Sequence, residues 1–177
     1  MSEILVYKMV LVGHTGVGKS CLTFRFCQNE FDSTTKPTLG SSYLSKVVEV
    51  NGMKIQLNIW DTAGQERYLS IAPMFYHNSS AAIVTYDITN YESFQKSKLW
   101  VDELLVHRPS NIEIAFVGNK LDLSEKRRVT KEEAEEYAKQ NGFLFYETSA
   151  KTGENVEKVF LDLVSSSSTT HLSKRTS

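Results

Sequence analysis

Residues 13–20 have the types and the spacing of a loop that binds phosphate groups. They read GHTGVGKS, which satisfies the pattern G-x-x-x-x-G-K-[ST], and they lie between an apolar run and an amphipathic stretch of helical length. Glycines let the backbone approach phosphate oxygens, Lys19 can reach the β and γ phosphates, and the Ser20 hydroxyl can bind Mg²⁺. A glycine turn that merely precedes a helix needs neither side chain, so the pattern predicts a nucleotide-binding loop.

A second set of polar residues can read the base of that nucleotide. Asn119, Lys120 and Asp122 follow the apolar run that ends at Val117, and residues 149–151 follow the next apolar run. A carboxylate accepts two hydrogen bonds from guanine, one from N1–H and one from the 2-amino group. Adenine has no donor at either position and leaves the carboxylate unpaired. A surface turn can share this composition, but the place of both segments after predicted strands favours a guanine site.

A third group, residues 61–66, carries the chemistry of hydrolysis. Asp61 ends an apolar run and is expected to hold Mg²⁺ through water, and Gly64 offers a backbone N–H for the γ phosphate. The amide of Gln65 takes no proton near pH 7, so Gln65 is expected to orient the attacking water rather than to act as a base. Gln65 and Lys19 are therefore the predicted catalytic residues of a GTP hydrolase.

The elements that must position these residues alternate along the chain. Short apolar runs predict buried strands, and amphipathic stretches of helical length separate most of them. Asn51 and Gly52 join two further strand patterns and predict a β-hairpin. The strands are expected at residues 4–12, 43–50, 53–60, 81–86, 112–117 and 143–146, and the helices at residues 19–28, 91–107, 130–140 and 156–164. The predicted fold is an α/β P-loop NTPase, with a six-stranded, mostly parallel sheet, one antiparallel edge strand and helices on both faces.

Composition limits the remaining choices. The chain has 177 residues with 20 basic and 21 acidic side chains, which suits one domain and gives no overall field for nucleic acid or an anionic membrane. Two cysteines, interpreted as reduced thiols, and the absence of a bilayer-length apolar run predict a cytoplasmic protein. Residues 1–164 form the predicted GTPase domain, and residues 165–177 are expected to be a disordered C-terminal tail or linker remnant.

With these motifs in order, the chain resembles a small GTPase of the Ras superfamily, and specifically of its Rab branch. The resemblance covers about residues 8–164, and the segments WDTAGQERY at 60–68 and YDIT at 86–89 are typical of the branch. Residues 70–76, SIAPMFY, are most similar to the early-endosomal subgroup. The implied function is a GTP/GDP switch that hydrolyses GTP slowly, recruits effectors in its GTP form and regulates vesicle or endosomal traffic at the cytosolic face of membranes.

The resemblance also implies roles for individual residues. The Asn119 side chain is expected to support the phosphate loop, and the Ala150 N–H to bind guanine O6. Phe31 is expected to lie against one edge of the base. The implied nucleotide-binding set is Gly13, Thr15, Gly16, Val17, Gly18, Lys19, Ser20, Cys21, Phe31, Gly64, Asn119, Lys120, Asp122, Ser149, Ala150 and Lys151. The implied Mg²⁺ ligands are Ser20, Thr38 and Asp61, and the implied effector surface is the aromatic triad Tyr43, Trp60 and Phe75.

Two features depart from the family pattern. Thr15 stands beside Gly16 in place of a glycine, which can alter how an incoming arginine finger fits, and the chain ends without the cysteines that Rab proteins use for prenylation. Peripheral membrane attachment is therefore expected only where a lipidated tail is present. The expected partners are guanine nucleotide, effectors, an exchange factor, a GTPase-activating protein and a GDP-dissociation inhibitor, with a monomeric protein and no nucleic acid.

Two other functions compete with the switch. A GTP-binding interaction module with negligible hydrolysis is the alternative, and Gln65 argues against it because such a module needs no water-orienting group. A nucleotide kinase would need an insertion long enough to form a lid, and the sequence shows none. A single-turnover hydrolysis assay separates the switch from the interaction module.

Overall fold

A computed structural model describes residues 4–31, 42–62, 79–107 and 112–175 of the protein. The strands are β1 (Leu5–Gly13), β2 (Ser42–Val50), β3 (Met53–Asp61), β4 (Ala81–Asp87), β5 (Glu113–Asn119) and β6 (Leu144–Glu147). The helices are α1 (Lys19–Gln28), α2 (Tyr91–His107), α3 (Lys131–Asn141) and α4 (Val156–Arg175), with a 3₁₀ segment at Leu121–Lys126. The strands form a six-stranded sheet in the order β2-β3-β1-β4-β5-β6.

The sheet is parallel except at one edge. Strand β1 pairs in parallel with β3 and β4, and β5 pairs in parallel with β4 and β6, whereas β2 lies antiparallel to β3. Asn51 and Gly52 turn the chain between β2 and β3 with φ of 53° and 79°, the positive values that a tight two-residue hairpin requires. The predicted fold class is confirmed. Because parallel strands end at the same edge, the carboxyl ends of β1, β3, β5 and β6 lie together there.

Two apolar layers cover the sheet, one on each face. Side chains alternate along β1, so Leu11 packs with α1 and α4 while Val10 packs with α2 and α3. On the first face, Phe26 of α1 stacks on Phe160 of α4 with ring centroids 4.2 Å apart. Helices on both faces explain why the central strands read as continuous apolar runs rather than as alternating patterns.

Helix ends follow the sequence at α3 but not at α4. The Thr130 hydroxyl accepts a hydrogen bond from the Glu133 N–H at 3.2 Å, and Gly142 closes α3 at φ 73°, as predicted. Helix α4 continues to Arg175, beyond the expected end at Val164, because no glycine or proline interrupts residues 156–177. Within the described ranges, no helix is both long and apolar enough to cross a bilayer.

Candidate nucleotide site

The phosphate loop follows β1 and fits closely against its neighbours. Gly13, Gly16 and Gly18 all have positive φ, of 150°, 86° and 98°. A Cβ at Gly13 would lie 2.3 Å from the Thr85 carbonyl oxygen, and a Cβ at Gly18 would lie 2.3 Å from Asn119 Nδ2. These distances leave no room for a side chain, so both glycines are needed for the loop to reach its place.

Helix α1 begins at the end of this loop and points its first N–H groups toward the predicted phosphates. Gly18 is the N-cap, and the first turn of α1 has neither a side-chain cap nor an acidic residue. A helix N-terminus whose first turn contains no acidic residue is suited to a phosphate, because its N–H groups and dipole attract negative charge. The glycine cradle and this helix end fit a bound nucleotide.

Lys19 lies beneath the loop rather than in solvent. Its Nζ donates to the carbonyl oxygens of Gly13 at 3.1 Å and His14 at 3.3 Å, and the residue is only 6% exposed. Burial lowers the pKa of Lys19 to about 8, and the nearby Asp61 charge opposes that shift. A phosphate placed on the loop would stabilise the ammonium form, so the lysine is poised to bind an anion.

Ser20 and Asp61 converge from two different elements. Ser20, in the first turn of α1, donates its hydroxyl proton to Asp61 Oδ2 at the end of β3. The Thr62 N–H and hydroxyl both bind the Leu11 carbonyl, at 3.2 and 2.8 Å, and hold the chain next to Asp61 against β1. A hydroxyl and a carboxylate are hard oxygen donors of the kind Mg²⁺ prefers, so this pair fits the predicted ion.

Asn119 joins the phosphate loop to the predicted base-reading loop. Its Nδ2 donates to the Val17 carbonyl at 2.9 Å, and its Oδ1 accepts from the Thr148 hydroxyl at 3.1 Å and from the Ala150 N–H at 3.3 Å. The side chain is buried, and its bonds connect residues far apart in sequence. One amide thus fixes the distance between the two halves of the site.

Lys120 and Asp122 extend the same edge. Lys120 has φ 70°, and its Nζ lies 3.0 Å from Asp87 Oδ2. Asp122 Oδ1 accepts a hydrogen bond from the Ser149 hydroxyl at 2.7 Å, which places the predicted base reader beside the loop after β6. The carboxylate is therefore oriented by a neighbouring group, and both of its oxygens keep lone pairs that can accept from a ligand.

Comparison with known proteins decides the family. A family model described as Ras family matches residues 8–169. The chain belongs to the Ras family. Ras-related protein Rab5 of Nicotiana tabacum is 48% identical over 156 residues, which span 88% of this chain and 78% of the relative. Ras-related protein Rab-5A of Dictyostelium discoideum is 46% identical over 162 residues, 92% of this chain and 81% of the relative. Ras-related protein RABF2b of Arabidopsis thaliana is 46% identical over 156 residues, with the same coverage as the tobacco protein.

Membership of the Ras family settles the reaction class. Ras-family proteins bind GTP and GDP and hydrolyse GTP, so the predicted small GTPase and its nucleotide ligand are confirmed. The three relatives carry Rab or RAB names, which confirms the predicted Rab branch. The switch function is therefore favoured over the interaction module with negligible hydrolysis.

The other predicted site residues of this Ras-family chain are divided between the described ranges and the rest of the chain. Thr15 and Cys21 are partly exposed beside the phosphate loop, and Phe31, at 37% exposed, ends the first described range. Tyr43 and Trp60 pack together with ring centroids 4.9 Å apart on β2 and β3. Four predicted residues lie outside the described ranges, namely Thr38, Gly64, Gln65 and Phe75.

Two polar residues near the site of this GTPase were missed in the sequence. Asp87 ends β4, and its carboxylate forms an ion pair with Lys120. The sequence indicates Asp87 only as part of the branch-typical segment at residues 86–89. Arg25 donates from Nε to the Ala150 carbonyl at 2.7 Å and from Nη2 to the Lys151 carbonyl at 2.6 Å. The sequence signal for Arg25 is only a basic residue in the last turn of a helix, which predicts a capping role and no contact with a distant loop.

Proposed function

We propose that this Rab-like GTPase works as a switch whose GDP and GTP forms are read by proteins of endosomal vesicle traffic. The observation that carries the proposal is the Asn119 side chain, which binds both the Val17 carbonyl and the Ala150 N–H. A phosphate loop and a base-reading loop held at a fixed spacing suit a nucleotide that spans both.

The phosphate side of the proposed site uses Lys19, Ser20, Asp61 and Thr38. Lys19 binds the β and γ phosphates, and its burial strengthens the interaction because little water competes for the charge. Ser20 and Thr38 would hold Mg²⁺ through their hydroxyls, and Asp61 would hold it through water. When bound, the ion neutralises charge that develops on the phosphate oxygens.

Hydrolysis is the in-line attack of water on the γ phosphate. Gln65 orients the water, the Gly64 N–H binds the γ phosphate, and Lys19 stabilises the charge of the transition state. The sequence offers no arginine of its own for this charge, so intrinsic turnover is slow, on the order of 10⁻⁴–10⁻³ s⁻¹, and a partner's arginine accelerates it.

The base side of the proposed site reads guanine by its donors and its acceptor. Asp122 accepts from guanine N1–H and the exocyclic amine, and the Ala150 N–H donates to O6. The aliphatic part of the Lys120 side chain lies along one face of the base, and the Phe31 side chain lies at the opposite edge. The wrong base is costly, since adenine leaves these polar groups without partners.

The partners follow from the switch. Effectors of the GTP form dock on an aromatic surface made of Tyr43, Trp60 and Phe75; Tyr43 is 45% exposed, which suits a residue that anchors a protein interface. An exchange factor, a GTPase-activating protein and a GDP-dissociation inhibitor act on the monomeric protein. Association with the cytosolic face of endosomal membranes requires a lipidated C-terminus.

Base preference tests the proposed site. In Asp122→Asn the amide can donate to the 2-oxo group of xanthine, so we expect GTP affinity to fall by roughly 100-fold and XTP to become the preferred ligand. Glu125→Gln, an exposed acid in the same 3₁₀ segment, is the matched control and should keep the preference for GTP. Full guanine preference in Asp122→Asn would remove Asp122 as the base reader.

A further inference from the structure

Arg25 connects the end of α1 to the loop that follows β6. Its Nη1 lies 3.2 Å from the Asn29 carbonyl oxygen and 3.3 Å from Asn29 Oδ1, which fixes the guanidinium at the C-terminus of the helix. The opposite edge of the guanidinium donates to the carbonyls of Ala150 and Lys151, at 2.7 and 2.6 Å. These two groups belong to positions 125 and 126 residues away along the chain.

The bonded oxygens show what kind of contact this is. All four are carbonyl or amide oxygens, and no carboxylate forms an ion pair with Arg25 among the residues that the structure describes. A planar guanidinium holds several acceptors in a fixed geometry, which an ammonium group cannot do. The contact therefore sets the shape of a loop rather than balancing a charge.

That loop carries the Ala150 N–H, the backbone group proposed above to bind guanine O6. Ala150 is held on both sides, because its N–H binds Asn119 Oδ1 at 3.3 Å while its carbonyl binds Arg25. The two bonds act on the peptide groups before and after Ala150, so together they fix the position of this residue. The bond to Asn119 is long and can give way to a ligand acceptor, so the Arg25 bond has a large share in holding Ala150 in place. Loss of the Arg25 bonds would let Ala150 shift and would move its N–H away from a guanine O6.

We propose that Arg25 is a positioning residue for guanine, acting through Ala150 to fix the hydrogen bond to O6 and so the residence time of GDP. The proposal rests on the proposed function, in which this loop reads the base. With Arg25, the last turn of α1 becomes part of the proposed nucleotide site.

The first measurement is GDP release. In Arg25→Gln we expect GDP to dissociate about five- to tenfold faster, the factor that one well-placed hydrogen bond contributes, and Arg25→Lys to be intermediate because it reaches one carbonyl at a time. Single-turnover GTP hydrolysis should change by less than about twofold, since Arg25 contacts no residue assigned to the γ phosphate. The matched control is Arg128→Gln, an exposed arginine, which should release GDP like the unaltered protein.

The second measurement separates positioning from a loss of general stability. The ligand 6-thio-GDP keeps both donors read by Asp122 but replaces O6 with a weakly accepting sulfur. Arg25→Gln should weaken GDP by about five- to tenfold and 6-thio-GDP by less than about twofold. Equal losses for both ligands, or none for GDP, would overturn the role of Arg25. If the unaltered protein bound GDP and ADP equally, the base-reading proposal would fail instead.

Discussion

At the scale of single residues, Lys19 is the most constrained charge of the site. It is buried under the phosphate loop, its pKa is lowered to about 8 by burial, and its hydrogen bonds go to backbone carbonyls of the loop itself. The cost of keeping this charge in the protein is relieved when a phosphate binds, because the anion stabilises the protonated form. Nucleotide binding is therefore linked to protonation.

The sign of this linkage gives a prediction. Below about pH 8 the free protein already carries the proton on Lys19, whereas above it binding must take up a proton, so GDP affinity should fall by up to about tenfold per pH unit. Calorimetry in two buffers of different ionisation enthalpy measures the uptake directly. Lys19→Arg is the control, because its guanidinium does not titrate and the uptake should disappear. Equal proton uptake by both proteins would contradict the assignment.

At the scale of elements, Arg127 and Glu147 fasten the 3₁₀ segment to the end of β6. The guanidinium makes two bonds to the carboxylate, at 2.6 and 2.9 Å, and a third to the Val129 carbonyl at 3.0 Å. The bonds to Glu147 raise the pKa of Arg127, and the Glu147 side chain is only 8% exposed. The pair thereby holds together the two segments that carry Asp122 and Ser149.

Breaking this pair should cost stability. In Arg127→Gln the Glu147 carboxylate stays buried without its charged partner, so we expect the free energy of unfolding to fall by about 2–4 kcal/mol. Urea denaturation measures the change. Lys96→Gln is the control: it opens the more exposed Lys96–Glu92 pair, separated by 3.3 Å, and should cost less than about 1 kcal/mol. Similar losses in the two variants would show that the burial of Glu147 has no special weight.

Most of the secondary-structure elements could be predicted from the sequence, but the end of α4 could not. The strands, the hairpin and the ends of α3 were predicted because their signals are local: alternation of elements, Asn51-Gly52, and Thr130 with Glu133. The length of α4 was not predicted, since its Ser and Thr residues favour neither helix nor coil strongly.

In the proposed site, too, local motifs could be predicted from the sequence and long-range contacts could not. Its motifs were found because the residues of each are consecutive, and topology brings their strand ends to one edge. The contacts of Arg25 and Arg127 were not predicted, because their partners lie 125 and 20 residues away and no local pattern marks either contact. A long-range bond from a side chain, whether to a backbone carbonyl or to a carboxylate, leaves no compositional signal.

At the scale of the whole molecule, the proposed nucleotide site draws on four separate segments at the sheet edge. A ligand that binds only when these segments are together stabilises the folded protein against global unfolding. With Mg²⁺ present and GDP at 100 times its Kd, we expect the free energy of unfolding to rise by about 2.7 kcal/mol, whereas ADP at the same concentration should have little effect. Chelating Mg²⁺ should reduce the gain. Equal stabilisation by ADP would contradict a guanine site.

The long reach of Asn119 also has a consequence for the order of events during synthesis. Its amide binds the Val17 carbonyl, 102 residues earlier in the chain. At about 5–20 residues per second, a ribosome makes the phosphate loop roughly 5–20 s before it makes this partner. A newly made chain thus exposes its phosphate loop while the guanine half of the site does not yet exist. Nucleotide can be held in full only after β6 has left the ribosome.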